Sequence, residues 1–238
     1  MRFQGQKIVV IGGSSGMGLA TAKMAVAEGA TVVIASRSEE KLRKARAEIK
    51  GNVEIITVNT VDEGSVKAFF KKVGEFDHLT TPGSEAAMGR FLDLDTKTAR
   101  IAFDSKFWGQ YNAAKYGAPK IRAGGSITFF AGIWSQRPVP GGSVVTAINS
   151  AIEGLGRALA GELAPVRVNT VSPGIVDTPI FSAMAPEKKE AMFKDVAASI
   201  PAKRIGRPEE IAHTVLYLMS NGYTTGSTLY VDGGTTLR

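Results

Sequence analysis

Residues 7–21 read KIVVIGGSSGMGLAT, an apolar run that ends in Gly12, Gly16 and Gly18 and passes into a segment rich in helix-forming residues. Glycines at such a junction remove the side chains that would keep a diphosphate from the backbone. The free N–H groups and positive dipole end of the following helix then favour a phosphate. The spacing, glycine, three residues, glycine, one residue, glycine, departs from the common G-x-G-x-x-G, and an ordinary strand, turn and helix start would use the same residues. Residues 31–35 form a second apolar run, followed by Ser36 and Arg37, which closes a βαβ unit of about 30 residues. An adenine ribose would lie at its end. Neither Ala35 nor Ser36 is acidic, so no carboxylate waits there for a ribose 2′-hydroxyl. The Arg37 guanidinium suits a 2′-phosphate through a two-pronged, charge-assisted contact, and NADP(H) is expected over NAD(H).

The elements that must position these groups alternate along the chain. The alternation of strand-like and helix-like segments places strands over 8–11, 31–35, 53–58, 78–81, 126–131, 166–171 and 227–231. Between them lie helical patterns over 39–50 and 62–73, a long helix ending near residue 121, and helices over 144–163 and 209–218. Crossovers of this length imply α/β architecture with a parallel, doubly wound sheet. Residues 185–199, after Pro179 and rich in charge, read as a helical insertion over the carboxyl ends of the strands, where ligands bind in such sheets.

At 238 residues, with no Pro/Gly/Ser-rich linker, residues 1–238 are expected to form a single domain. Cysteine is absent and the only histidines are His78 and His213, which argues against a disulfide framework, a thiol nucleophile or a metal site. The opening MRFQGQK lacks the apolar core of a signal peptide, and no apolar run approaches the roughly 20 residues of a membrane span. A cytoplasmic location with no membrane partner is the expectation. The net charge of +7 and the cluster Lys41, Arg43, Lys44, Arg46 and Lys50 raise nucleic acid as a partner, but no aromatics interleave and Glu39, Glu40 and Glu48 share the helix. A solvated face, without nucleic acid, fits better. The acidic pairs Glu39-Glu40, Asp62-Glu63 and Glu209-Glu210 stand at helix starts, where they complement the dipole.

With IGGSSGMG, ASR, VRVNTVSPGIVDTP, RIGRPEEIA and YTTGSTLYVDGG in this order, the chain resembles the short-chain dehydrogenase/reductase family along nearly its full length. The resemblance implies a Rossmann-type, seven-stranded parallel sheet flanked by helices, an NAD(P)(H) cofactor, hydride transfer with a small-molecule substrate, and a homotetramer or homodimer. By position it places Gly12, Ser14, Ser15, Gly16, Met17 and Gly18 at the phosphates and ribose, and Ser36 and Arg37 at the 2′-phosphate. Asn59 and Thr60 fall at the adenine, Thr81, Pro82 and Gly83 at the nicotinamide-side ribose, and Pro173, Gly174, Ile175 and Thr178 at the carboxamide. Asn59 replaces a family Asp, and Thr80 to Gly83 replace Asn-Asn-Ala-Gly.

The same alignment by motif finds the catalytic positions changed. Val145 and Asn149 stand where the family has Tyr and Lys, Gly132 where it has Ser, and Lys106 where it has Asn. Valine has no proton to give, and asparagine carries no charge. Ala99, Ala102, Gly109 and Ala113 flank Lys106 at helical spacing as a narrow stripe of small residues, so the lysine is expected to be partly buried. Burial lowers an ammonium's pKa and would let Lys106 act as proton donor or as a clamp for a developing alkoxide. A lysine stretching its stem across the core edge to water fits the same spacing. Ser135 and Thr146 are candidate substrate contacts. The expectation is an NADPH-dependent reductase of a small carbonyl, imine or activated alkene with a non-standard acid; the alternative is a non-catalytic NADPH-binding sensor or an inactive subunit partner.

Overall fold

The computed structural model describes residues 1–83 and 87–237. Seven strands, β1 (Lys7–Ile11), β2 (Thr31–Ser36), β3 (Val53–Thr57), β4 (Phe76–Thr80), β5 (Ile121–Phe130), β6 (Arg167–Pro173) and β7 (Thr228–Val231), form one sheet in the order β3-β2-β1-β4-β5-β6-β7. Every pairing is parallel. Val9, Val10, Val33 and Ile34 have no exposed surface, as an apolar run covered on both faces requires.

Helices cover the two faces. Helices α1 (Gly16–Ala27), α2 (Glu39–Glu48) and α8 (Pro208–Ser220) bury Ala22, Ala25, Leu42, Val215 and Leu216 against one side. On the other, α3 (Glu63–Val73), α4 (Thr96–Phe103), α5 (Gly109–Gly117) and α6 (Ser143–Glu162) bury Phe69, Phe70, Ala102, Ala113, Ile148 and Ile152. Side chains of Ser38, Asp62 and Asp95 cap α2, α3 and α4 by accepting backbone N–H bonds, each worth about 1 kcal/mol. The acidic pairs open α2, α3 and α8 as expected. Helix α7 (Pro186–Ser199) is the insertion after β6.

Two expectations are corrected. The long helix ends at Gly117 and is not continuous: α4 and α5 flank a π turn, Asp104–Trp108, that carries Lys106. Strand β5 starts at Ile121 rather than residue 126, because Ile121 pairs with Phe76 before a register shift that brings Ser126 opposite His78. His78 is packed: its Nδ1 lies 2.9 Å from Ser126 Oγ and its Nε2 3.2 Å from Gln6 Oε1. Burial pushes its pKa down to about 4, so the ring is neutral and structural.

Candidate active site

The strand order reverses between β1 and β4, and the crevice at such a point, beyond the carboxyl ends of the strands, is where ligands bind in open α/β sheets. Gly12 follows β1 there with φ +95°, and a Cβ on it would overlap the backbone of Gly83 after β4. Its N–H donates to Ala35 O at 2.7 Å, which ties the glycine loop to the end of β2, two residues before Arg37. Gly18 passes so close to the Gly12 carbonyl that no side chain fits. The start of α1 has neither a side-chain cap at Ser15 nor an acidic residue in its first turn, unlike α2 and α3. An uncapped N-terminus beside a loop without side chains is a cradle for a phosphate.

The opposite wall comes from the segment after β6. Pro173 ends the strand, the N–H of Gly174 donates to Val231 O at 3.0 Å, and the Ile175 carbonyl accepts from Gly206 N at 3.0 Å. Thr178 returns to the glycine loop, where a Cβ on Gly16 would meet it at 3.3 Å. The residues expected at the phosphates and those expected at the carboxamide therefore form one rim. Arg37 is exposed beyond β2, and Asn59 is exposed beyond β3. The Thr60 carbonyl accepts from Asn112 Nδ2 at 3.0 Å, and its side chain packs on Gly109. Thr81 is buried with its hydroxyl donating to Gln110 Oε1 at 2.7 Å, so that side chain faces the protein and only its backbone is left for a ligand.

Lys106, Gly132, Val145 and Asn149 come together beside this rim. Lys106 Nζ donates to Asn149 Oδ1 at 2.7 Å and to Ala131 O, just past β5, at 2.9 Å. Both acceptors are neutral, and burial alone lowers the lysine's pKa from 10.5 to about 8. The ammonium is thus drawn inward, as the small-residue stripe predicts; Ala102, Gly109 and Ala113 are buried and Ala99 partly so. Asn149 is itself buried, and a Cβ on Gly132 would stand 2.9 Å from its Nδ2. Gly132 is therefore what lets this amide lie where it does. Val145 is buried on the same face of α6 as Asn149.

Sequence reasoning missed two residues that hold this arrangement. Gln110 is buried, accepts from Thr81 Oγ1 and from Phe130 N at 2.8 Å, and donates to Phe130 O at 2.9 Å and Lys106 O at 3.1 Å. It ties the ends of β4 and β5 to the π turn. Glu153 is only 3% exposed, and its carboxylate accepts from Ser135 Oγ at 2.5 Å, Tyr230 OH at 3.1 Å, Gln136 Nε2 at 3.3 Å and Ser172 Oγ at 3.4 Å. Ser135, expected at the substrate, thus spends its hydroxyl on Glu153 and the Gly132 carbonyl. Thr146 carries a buried hydroxyl that has no hydrogen-bond partner among the described residues. Glu153 was legible in principle: it lies on the α6 stripe of Val145, Ile148, Asn149, Ile152 and Gly156, all buried.

Comparison with known proteins bears on the family and the fold. The profile of the family described as enoyl-(acyl carrier protein) reductase matches residues 11–236. The short-chain dehydrogenase/reductase ATR9 of Stachybotrys chlorohalonatus is 34% identical, covering 99% of each chain. Among solved structures, a small-chain dehydrogenase in complex with NADPH is 35% identical, with a TM-score of 0.86 over 98% of this chain and 99% of that one. The MalC reductase/Diels-Alderase of Malbranchea aurantiaca is 27% identical, with a TM-score of 0.93 over 100% of this chain and 98% of that one.

Proposed function

Because the chain belongs to the short-chain dehydrogenase/reductase family and is an oxidoreductase of that type, we propose that it is an NADPH-dependent reductase whose proton donor and oxyanion clamp is Lys106. The observation that carries the reading is the inward-turned Lys106 ammonium, held by Asn149 and the Ala131 carbonyl beside the crevice between β1 and β4.

The residues present fit the cofactor, because the Gly12 to Gly18 loop leaves a backbone cradle at an uncapped helix start. In this reading Ser14, Ser15, Gly16 and Met17 bind the diphosphate and ribose, with Ser36 and Arg37 at the 2′-phosphate. Asn59 and Thr60 border the adenine, the backbone of Thr81, Pro82 and Gly83 borders the second ribose, and Pro173, Gly174, Ile175 and Thr178 hold the carboxamide. The bound nicotinamide supplies a hydride. Lys106 steadies the negative charge that grows on the acceptor and returns a proton to it, while Val145 and Ile133 exclude water from one side.

The substrate in this reading is a small carbonyl, imine or activated alkene. Loss of a tyrosine acid is tolerable, since a general acid contributes about 10² to 10⁴ in rate whereas juxtaposition of donor and acceptor supplies roughly 7 to 11 kcal/mol. A homo-oligomer through the face of α4 and α5 is supported by Ile101 and Trp108, both exposed, with Trp108 edge-on to Phe107 at 5.1 Å and to Tyr111 at 5.2 Å.

The test is steady-state NADPH oxidation over ketones, cyclic imines and enones, by the natural chain and by Lys106→Met. Turnover that falls by about 10² or more in the variant, with NADPH binding retained, is expected. Equal turnover removes Lys106 from the mechanism, and tight NADPH binding without turnover on any substrate class overturns the assignment in favour of a cofactor-binding sensor.

A further inference from the structure

The Lys106 contacts fix the orientation of the Asn149 amide by chemistry. An ammonium can only donate, so the Asn149 atom 2.7 Å from Nζ must be the carbonyl oxygen, and the NH₂ group must turn the other way. That other way is toward Gly132, where a Cβ would lie 2.9 Å from Nδ2. The third Lys106 N–H is left over after Asn149 Oδ1 and Ala131 O have taken two. The pair therefore offers unspent donors.

The charge balance is incomplete as well. Buried ammonium groups are ordinarily paired with a carboxylate, because desolvation of a lone charge is costly. Among the described residues no carboxylate reaches Lys106. Asp104, Tyr111, Lys115 and Tyr116 on its own helical run, Lys97 and Arg100 on α4, and Glu153, Arg157 and Glu162 on α6 are the charged or titratable groups on the elements around it; burial is the cause of its lowered pKa. The Glu153 carboxylate, one turn along α6 from Asn149, is occupied by Ser135, Gln136, Ser172 and Tyr230.

We propose that the Lys106 ammonium and the Asn149 NH₂ form a receptor for one oxyanion of the substrate, either a carboxylate carried by the carbonyl compound or the enolate of a 1,3-dicarbonyl compound. This rests on the reductase reading for its location, while its test reads anion binding and not turnover. A ligand of this class supplies a counter-charge that no described residue provides, and a cationic iminium is disfavoured at the same place. Both groups can only donate, so the site selects a ligand with lone pairs to accept and a negative charge.

The test is calorimetric titration of the full chain, saturated with NADP⁺, at pH 8.5 in two buffers of different ionisation heat. Benzoate is the carboxylate arm, acetylacetone the enolate arm and benzamide the neutral control. Lys106 is then largely deprotonated, and an anion that requires the ammonium draws in more than about half a proton per site. Binding of benzoate with that proton uptake, about tenfold or more weaker in Lys106→Met, is expected; acetylacetone at this pH still carries the acidic proton that the lysine takes, so its arm is read by affinity alone, and which arm binds tighter identifies the source of the charge. Binding of both no tighter than benzamide, benzoate binding without proton uptake, or acetylacetone binding unchanged in Lys106→Met overturns the receptor. The uptake is read on the natural chain and so does not depend on the variant folding. Anion binding with proton uptake but no NADPH oxidation would refute the reductase reading alone, and turnover without anion binding would refute the receptor alone.

Discussion

Lys106 should cost the fold stability at neutral pH, and the cost should vanish in alkali. Its ammonium is neutralised in the folded protein at about 8, against 10.5 for an ordinary lysine. At roughly 1.4 kcal/mol per pH unit, the difference is worth about 3 kcal/mol. The folded-state pKa is the lower one, so between the two values the unfolded chain binds the proton more tightly, and stability rises with pH across that window. Below pH 8 the whole cost is present; above 10.5 none of it remains. Replacing Lys106 with Met leaves Ala131 O and Asn149 Oδ1 without their donor, but that loss does not depend on pH. The difference in unfolding free energy between natural chain and variant should therefore climb by about 3 kcal/mol from pH 7.5 to 10.5. Urea unfolding at four pH values measures it, and other tyrosines and lysines that titrate in the range cancel in the difference. Curves that stay parallel across the window would refute the claim that this ammonium is desolvated without a counter-charge.

Three further outcomes follow from other parts of the molecule. His78 is held neutral down to about pH 4, whereas an unfolded histidine takes up its proton near 6.5; the stability it contributes is complete above 6.5 and lost as pH falls to 4. The loss should reach about 3 kcal/mol and be missing from His78→Gln, as read by denaturant unfolding at pH 7, 5.5 and 4.5. Arg37→Ala should weaken NADPH binding by about 10- to 100-fold and leave NADH binding nearly unchanged, in a fluorescence titration of each cofactor. Gly12→Ala forces a side chain into φ +95° and into the Gly83 backbone; NADPH affinity should drop by more than about tenfold in the same titration, and unchanged affinity would mean that the glycine loop is not the phosphate cradle.

The layer architecture was legible because strands buried on both faces, such as β1 and β2, leave continuous apolar runs, and the alternation of elements carries the rest; β1, β2 and β6 fall within two residues of their sequence-based bounds. The glycine loop was legible for a similar reason: close approach of Gly12 to Gly83 tolerates no other residue, so the requirement is written in residue type. The π turn was not, since one extra residue per turn changes hydrogen-bond partners without altering composition. Gln110 escaped because a glutamine between Gly109 and Tyr111 reads as a solvated helix position, and only the meeting of the β4 and β5 ends explains four bonds to its amide. Ser135 was placed near the right loop but its hydroxyl points to Glu153, a direction no local pattern encodes.

The changes at positions 106, 132 and 149 are physically one change. Lysine at 106 needs an acceptor across the cleft, and Asn149 Oδ1 provides it at 2.7 Å. A lysine at 149 would bring a second ammonium against the first in a buried site, where like charges repel strongly. Once the Asn149 amide has turned its oxygen to Lys106, its NH₂ occupies the space a side chain at 132 would need, so glycine is required there. The π turn completes the set, because the Gln110 side chain takes the Lys106 carbonyl and pins the backbone from which the ammonium extends. A cation delivered from the helix facing α6 thus comes with an amide, a missing side chain and a displaced turn.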